Sequence, residues 1–167
     1  MRILAICGSL RAASKNSSLL RALAEIEPAI VLYEGICNLP HFNSDVDDAG
    51  APVSVVEFRE QLRAADIVLI SSPEYAHGVP GVLKNALDWV VGSGELIDKP
   101  VVLLNASPAS KFVASQLTET LTVMSARVAR VTTISLAGRS VSDEEVCAEL
   151  GALLDDLRSI HSTARSS

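Results

Sequence analysis

The stretch Met1-Arg2-Ile3-Leu4-Ala5-Ile6-Cys7-Gly8-Ser9-Leu10-Arg11-Ala12-Ala13-Ser14-Lys15-Asn16-Ser17-Ser18-Leu19-Leu20 passes from an unbroken apolar run, through a polar loop, into residues of helical spacing. A run such as Ile3 to Cys7 has the length of a strand that is buried on both faces. The same unit recurs downstream. Ile30 to Tyr33, Ile67 to Ile70 and Val101 to Leu104 are further runs, and Val131 to Leu136 is a fifth, more mixed one. Between them, apolar residues return at intervals of three and four, as in Val79, Val82, Leu83, Ala86, Leu87 and Val90. Such stripes mark helices that each lay one face on a sheet. Ser142, with Glu145 three residues on, reads as a capping box for the last helix.

Five strand–helix units with right-handed crossovers predict an α/β fold of three layers. Five strands suit the flavodoxin-like order 2-1-3-4-5 in an all-parallel sheet. The 167 residues read as a single domain, 1–167, large enough to bury a core without staples. Apolar residues make up 49% and charged residues 20%, a globular balance rather than a disordered one. The net charge of -6 repels phosphate backbones, so nucleic acid is excluded as a partner class. Cys7, Cys37 and Cys147 are odd in number and widely spaced, which suits free thiols in a reducing compartment. Cys7 is expected to be a small buried hydrophobe. No stretch has the length of a membrane span, and the chain is expected to be cytoplasmic. The tail after His161 is expected to fray.

In this fold ligands sit beyond the carboxyl ends of the strands, at the switch point beside the first strand. The loop Gly8 to Ser18 lies there. Ser9, Ser14, Ser17 and Asn16 are short donors, Arg11 is a fixed cation, and the helix start adds free N–H groups. This is the chemistry of a phosphate cradle. Equally, the loop reads as an ordinary polar turn with Ser14 or Asn16 as N-cap. It contains neither GxGxxG nor a Walker sequence, which argues against dinucleotide and NTPase sites.

The third strand runs into Ser71-Ser72-Pro73-Glu74-Tyr75-Ala76-His77-Gly78-Val79-Pro80-Gly81. Two prolines and two glycines fix the backbone path. A stiff loop presenting N–H groups suits the edge of a flat heterocycle, with Tyr75 and His77 beside it. The other reading is a rigid connection whose Tyr75 covers the core. No histidine or carboxylate spacing marks a metal site.

Together these loops resemble the NADPH-dependent FMN reductase family, which includes quinone, azo-dye and chromate reductases. The first carries the family's GSxRxxSxN as Gly8, Ser9, Arg11, Ser14 and Asn16. The second carries PEY…PGxLKNALDW as Pro73-Glu74-Tyr75, then Pro80 to Trp89. The resemblance implies FMN as cofactor and NADPH or NADH as co-substrate, with electrons passing to a quinone-like or other small acceptor. It places Ser9, Arg11, Ser14, Asn16 and Ser17 around the FMN phosphate. It places Pro73, Glu74, Tyr75, Ala76, His77 and Gly78 along the isoalloxazine ring, and Ser107 near the ring or ribityl chain. No side chain is expected to act as acid or base. A homodimer or homotetramer is implied. Trp89 and Val91, off the main helical stripe, are consistent with a partner helix, and Trp89 equally with ordinary core. A non-enzymatic FMN carrier is the alternative. A serine hydrolase built on Ser9 and His77 lacks GxSxG and an orienting carboxylate. One departure stands out. The family's glycine-rich SPGxxGG is here Ser107-Pro108-Ala109-Ser110-Lys111-Phe112-Val113, which makes close backbone approach harder.

Overall fold

Apolar runs of strand length have no polar face to offer water, and here they fill the middle of a sheet. β1 (Ile3–Cys7), β3 (Ile67–Ser71) and β4 (Pro100–Asn105) are buried along nearly their whole length. β2 (Ile30–Tyr33) and β5 (Arg127–Thr133) flank them, giving a parallel sheet of order β2-β1-β3-β4-β5. The architecture is therefore the flavodoxin-like one read from the sequence. The computed structural model describes residues 1–164. Its helices are α1 (Lys15–Ile26), α2 (Ser44–Asp48), α3 (Val53–Ala64), α4 (Gly81–Val91), α5 (Val113–Val123) and α6 (Glu144–Ala164), with a 3-10 turn at Gly35–Asn38.

Successive strand residues point to opposite faces, so each face has its own core. Leu4, Ile6, Val68, Ile70 and Leu103 pack with Phe58 of α3, Leu83 and Trp89 of α4 and Leu117 of α5. Ile3, Ala5, Ile67, Leu69 and Val102 pack with Leu19 and Leu23 of α1 and Leu150 and Leu157 of α6. The register sets Cys7 beside Ser71, which brings the carboxyl ends of β1 and β3 level with each other.

Several sequence expectations need correction. β5 begins four residues before Val131 and stops at Thr133. As an edge strand it carries exposed Arg127 and Arg130, so a search for apolar runs passes over its first half. Ile134 and Leu136 still donate their N–H groups to Asn105 and Ala106, beyond the regular ladder. The capping box at α6 does not form. Cys147 N–H donates to the carbonyl of Asp143, whose own carboxylate accepts Ser140 N–H at 3.0 Å, while the Ser142 hydroxyl pairs with that of Ser140. α6 continues through Ala164, past the point where fraying was expected, and residues 165–167 lie outside the described residues. Cys7 is only half-buried. Of the two readings of Trp89 the core one holds, since it is fully buried, while Val91 is exposed. Among the described residues no helix is long and apolar enough to cross a membrane.

Candidate flavin site

The chain leaves β1 through a gap that admits no side chain. Gly8 N–H donates to Ser71 O at 2.8 Å. A Cβ on Gly8 would lie 2.7 Å from Ser72 Oγ and 3.1 Å from a Leu83 methyl. The loop beyond it divides into inward and outward residues. Ser14 is buried and is the N-cap of α1: its hydroxyl accepts Ser17 N–H at 3.4 Å and its carbonyl accepts Ser18 N–H at 2.9 Å. The N-cap reading of Ser14 is correct. Asn16 is also buried, and its Oδ1 accepts the Ser71 hydroxyl at 2.9 Å.

Ser9, Arg11 and Ser17 remain toward solvent. Ser9 Oγ accepts Arg11 N–H at 3.3 Å, which bends the loop. Arg11 is exposed and forms no ion pair among the described residues. The N–H groups of Lys15 and Asn16, first in α1, have no protein acceptor among the described residues. Unclaimed N–H groups at the positive end of a helix, with an unpaired guanidinium in the loop that leads into it, are suited to an anion.

The loop after β3 closes on itself. Tyr75 N–H donates to Gly78 O at 3.1 Å and Gly78 N–H to Tyr75 O at 2.9 Å. The two residues between them, Ala76 and His77, have φ of 49° and 58°. Positive φ at both central positions is the habit of Asn-Gly turns, and each L-residue so placed costs about 1–2 kcal/mol. Of the five N–H groups from Glu74 to Gly78, the turn engages two. Those of Glu74, Ala76 and His77 have no protein acceptor among the described residues. Tyr75 is 54% exposed, so it does not cover the core as the alternative reading required.

The strained turn is gripped by the start of α5. Phe112 stands at the N-cap position with no side-chain acceptor to offer. Glu74 takes over that task from another loop: its Oε2 accepts Phe112 N–H at 2.6 Å and Val113 N–H at 3.0 Å. The hydrogen bond from Phe112 holds the Glu74 carboxyl below the usual carboxylate range. Burial opposes this, and the bond from Val113 assists it. One turn further on, Gln116 donates to His77 O at 2.8 Å and accepts Val79 N–H at 3.3 Å. The rings of His77 and Phe112 stack with centroids 4.4 Å apart. In the segment where the glycines are missing, Ser107 organises a turn: its carbonyl accepts Ser110 N–H and its hydroxyl accepts Ala109 N–H.

Residues 1–139 match the model of a family described as NADPH-dependent FMN reductase. The chain belongs to that family. An NAD(P)H-dependent FMN reductase of Pseudomonas aeruginosa is 41% identical over 111 residues, 64% of this chain and 60% of that protein. The quinone reductase of Escherichia coli strain K12 is 37% identical over 113 residues, again 64% of this chain and 60% of that one. The matched part thus spans about six tenths of the length of these curated relatives. Among solved structures, FerB, a flavoenzyme NAD(P)H:(acceptor) oxidoreductase from Paracoccus denitrificans, superposes with a TM-score of 0.79 at 26% identity over 98% of both chains.

In this FMN reductase family member, two contributors to the candidate site, Gln116 and Ser71, escaped the sequence reading. Gln116 sits beside Leu117 in an apolar stripe, and nothing in its spacing marks it. Ser71 is the last residue of a strand and reads as its end, not as the partner of Asn16. Asn85 and Trp89, read from the sequence only as part of a motif, tie down residues 40–42: Asn85 Oδ1 accepts Phe42 N–H at 2.8 Å, its amide donates to Pro40 O at 2.9 Å, and Trp89 Nε1–H donates to the same carbonyl.

Proposed function

We propose that the chain is an NAD(P)H-dependent FMN oxidoreductase that passes electrons to a quinone-like or other small acceptor. The observation that carries this reading is the set of unclaimed N–H groups at Lys15 and Asn16, with the unpaired Arg11 in the loop before them, at the carboxyl edge of the sheet of a family member. That donor set fits a phosphate dianion. Ser9, Arg11 and Ser17 would hold the phosphate, while Ser14 and Asn16 keep the loop in shape from inside. The loop from Pro73 to Gly78, together with Ser107, would hold the isoalloxazine ring. Its free N–H groups at Glu74, Ala76 and His77 suit the ring's polar edge.

Bound FMN supplies two-electron chemistry, taking hydride from a reduced nicotinamide and returning electrons to an acceptor. The chain's own part is orientation and electrostatics. Exposed Tyr75 and Phe112 offer apolar surface beside the turn, against which a flat group can pack. No side chain is assigned as acid or base. We read the protein as a cytoplasmic homodimer or homotetramer, in line with its family resemblance and its three free thiols.

The test is to titrate the purified chain with FMN and then follow NADPH and NADH oxidation with a panel of quinones. Flavin binding with turnover is expected. No binding would refute the reading. Binding without turnover on any acceptor would favour the FMN carrier.

A further inference from the structure

The turn at Tyr75–Gly78 has the wrong sequence for its shape. A two-residue turn with positive φ at both centres favours Asn-Gly, and here Ala and His occupy those places. Local preference therefore opposes the observed backbone. A conformation held against its own preference persists only where its surroundings over-determine it, and such places cluster at functional sites. The surroundings here come from one element. Glu74 is anchored to the first N–H groups of α5, the Gln116 amide brackets the turn's second half from both sides, and Phe112 stacks on His77.

We propose that Glu74 and Gln116 are positioning residues: they clamp the turn to α5 and so keep the Ala76 and His77 N–H groups free and fixed for the flavin ring. The proposal deepens the flavin reading and rests on it. Neither side chain needs to touch the ring. Gln116 reaches the turn only through His77 O and Val79 N–H, and the carboxylate of Glu74 is turned to α5. The clamp also gives the segment after β4 a role that does not need its missing glycines, since it is the start of α5 that grips the turn.

The test starts with the flavin-free chain and amide hydrogen exchange at Gly78, whose N–H closes the turn. Gln116→Ala and Glu74→Ala are each expected to speed exchange there about tenfold or more, with amides of β1 and β4 unchanged. Riboflavin and FMN are then titrated by fluorescence quenching. Both ligands should weaken together in these variants, by about three- to tenfold, the scale of one hydrogen bond. Their ratio should hold, because riboflavin lacks only the phosphate.

Placing Ala76→Asn with His77→Gly in the Gln116→Ala background supplies a sequence that makes the turn unaided. It should restore both Gly78 protection and riboflavin affinity. A merely destabilised protein would not be rescued this way. Unchanged exchange at Gly78 in both single variants would overturn the proposal. So would a loosened turn that still binds riboflavin at full affinity. A wild-type chain that binds neither flavin would instead refute the flavin reading, and the exchange arm alone would then decide whether the clamp exists.

Discussion

Ser71 donates its hydroxyl to Asn16 Oδ1 at 2.9 Å, and both side chains are buried. This bond joins the end of β3 to the first turn of α1, so the loop after β1 and the loop after β3 form one unit. Removing the donor by Ser71→Ala leaves the Asn16 carbonyl buried without its partner. The expected loss is about 1–3 kcal/mol, seen as a lower urea midpoint at unchanged slope. The double variant with Asn16→Ala should lose less than the sum of the two single changes, because the pair acts as a unit. Strict additivity would show that the bond contributes nothing of its own.

Gly8 is required by a close approach and not by its φ. Gly8→Ala places a methyl group 2.7 Å from Ser72 Oγ and 3.1 Å from Leu83. Overpacking at such a site costs about 1–3 kcal/mol. Ser72→Ala removes the nearer obstacle and should recover part of that loss, while Ser72 Cβ and Leu83 still crowd the new methyl. A thermal melt of the single and double variants reads this directly. Equal melting points for Gly8→Ala and the wild type would refute the crowding.

Much of this layout was legible in the sequence, for identifiable reasons. β1, β3 and β4 are buried on both faces, so their apolar runs announce them. β5 is half-exposed at the edge, so Arg127 and Arg130 disguise it. Within the candidate site, residues whose chemistry is exposed and local, such as Arg11, can be proposed from their type alone. The partners that fix them could not. Asn16 meets Ser71 across 55 positions and Glu74 meets Phe112 across 38, pairings that only the crossover topology creates. The left-handed turn was hidden for a different reason: Ala76 and His77 carry no local signal for it, since α5 imposes the shape from outside.

Arg11 separates the two ends of the proposed ligand. Its guanidinium has no ion-pair partner to lose among the described residues, so Arg11→Ala should leave the melting temperature close to that of the wild type. FMN affinity is expected to fall by about 1.5–3 kcal/mol, the worth of a hydrogen bond to a charged group. Riboflavin affinity should not change. The FMN difference should also shrink with added salt, since Arg11 is exposed and screened. Full FMN affinity in this variant would remove Arg11 from the phosphate site.

Acid pH reaches the ring end through Glu74. The hydrogen bond from Phe112 N–H holds its folded-state carboxyl below the ordinary range, with burial opposing and the Val113 bond assisting. A carboxyl depressed in the folded state contributes stability that is fully present above its ordinary pKa and is lost as pH falls through the folded value. The contact between Glu74 and α5 should therefore be intact from about pH 8 to pH 5 and weaken below the ordinary carboxylate range. Gly78 exchange, corrected for the intrinsic pH dependence of amide exchange, should stay flat over the upper window and rise in acid. Glu74→Gln keeps an oxygen that can accept the Phe112 and Val113 N–H groups but cannot ionise near these values. In that variant the acid rise should vanish, while the turn stays better protected than in Glu74→Ala. An acid rise of the same size in Glu74→Gln would assign the effect to another carboxylate, with Asp47, which is also held low by its hydrogen bond from Arg59, the first to examine.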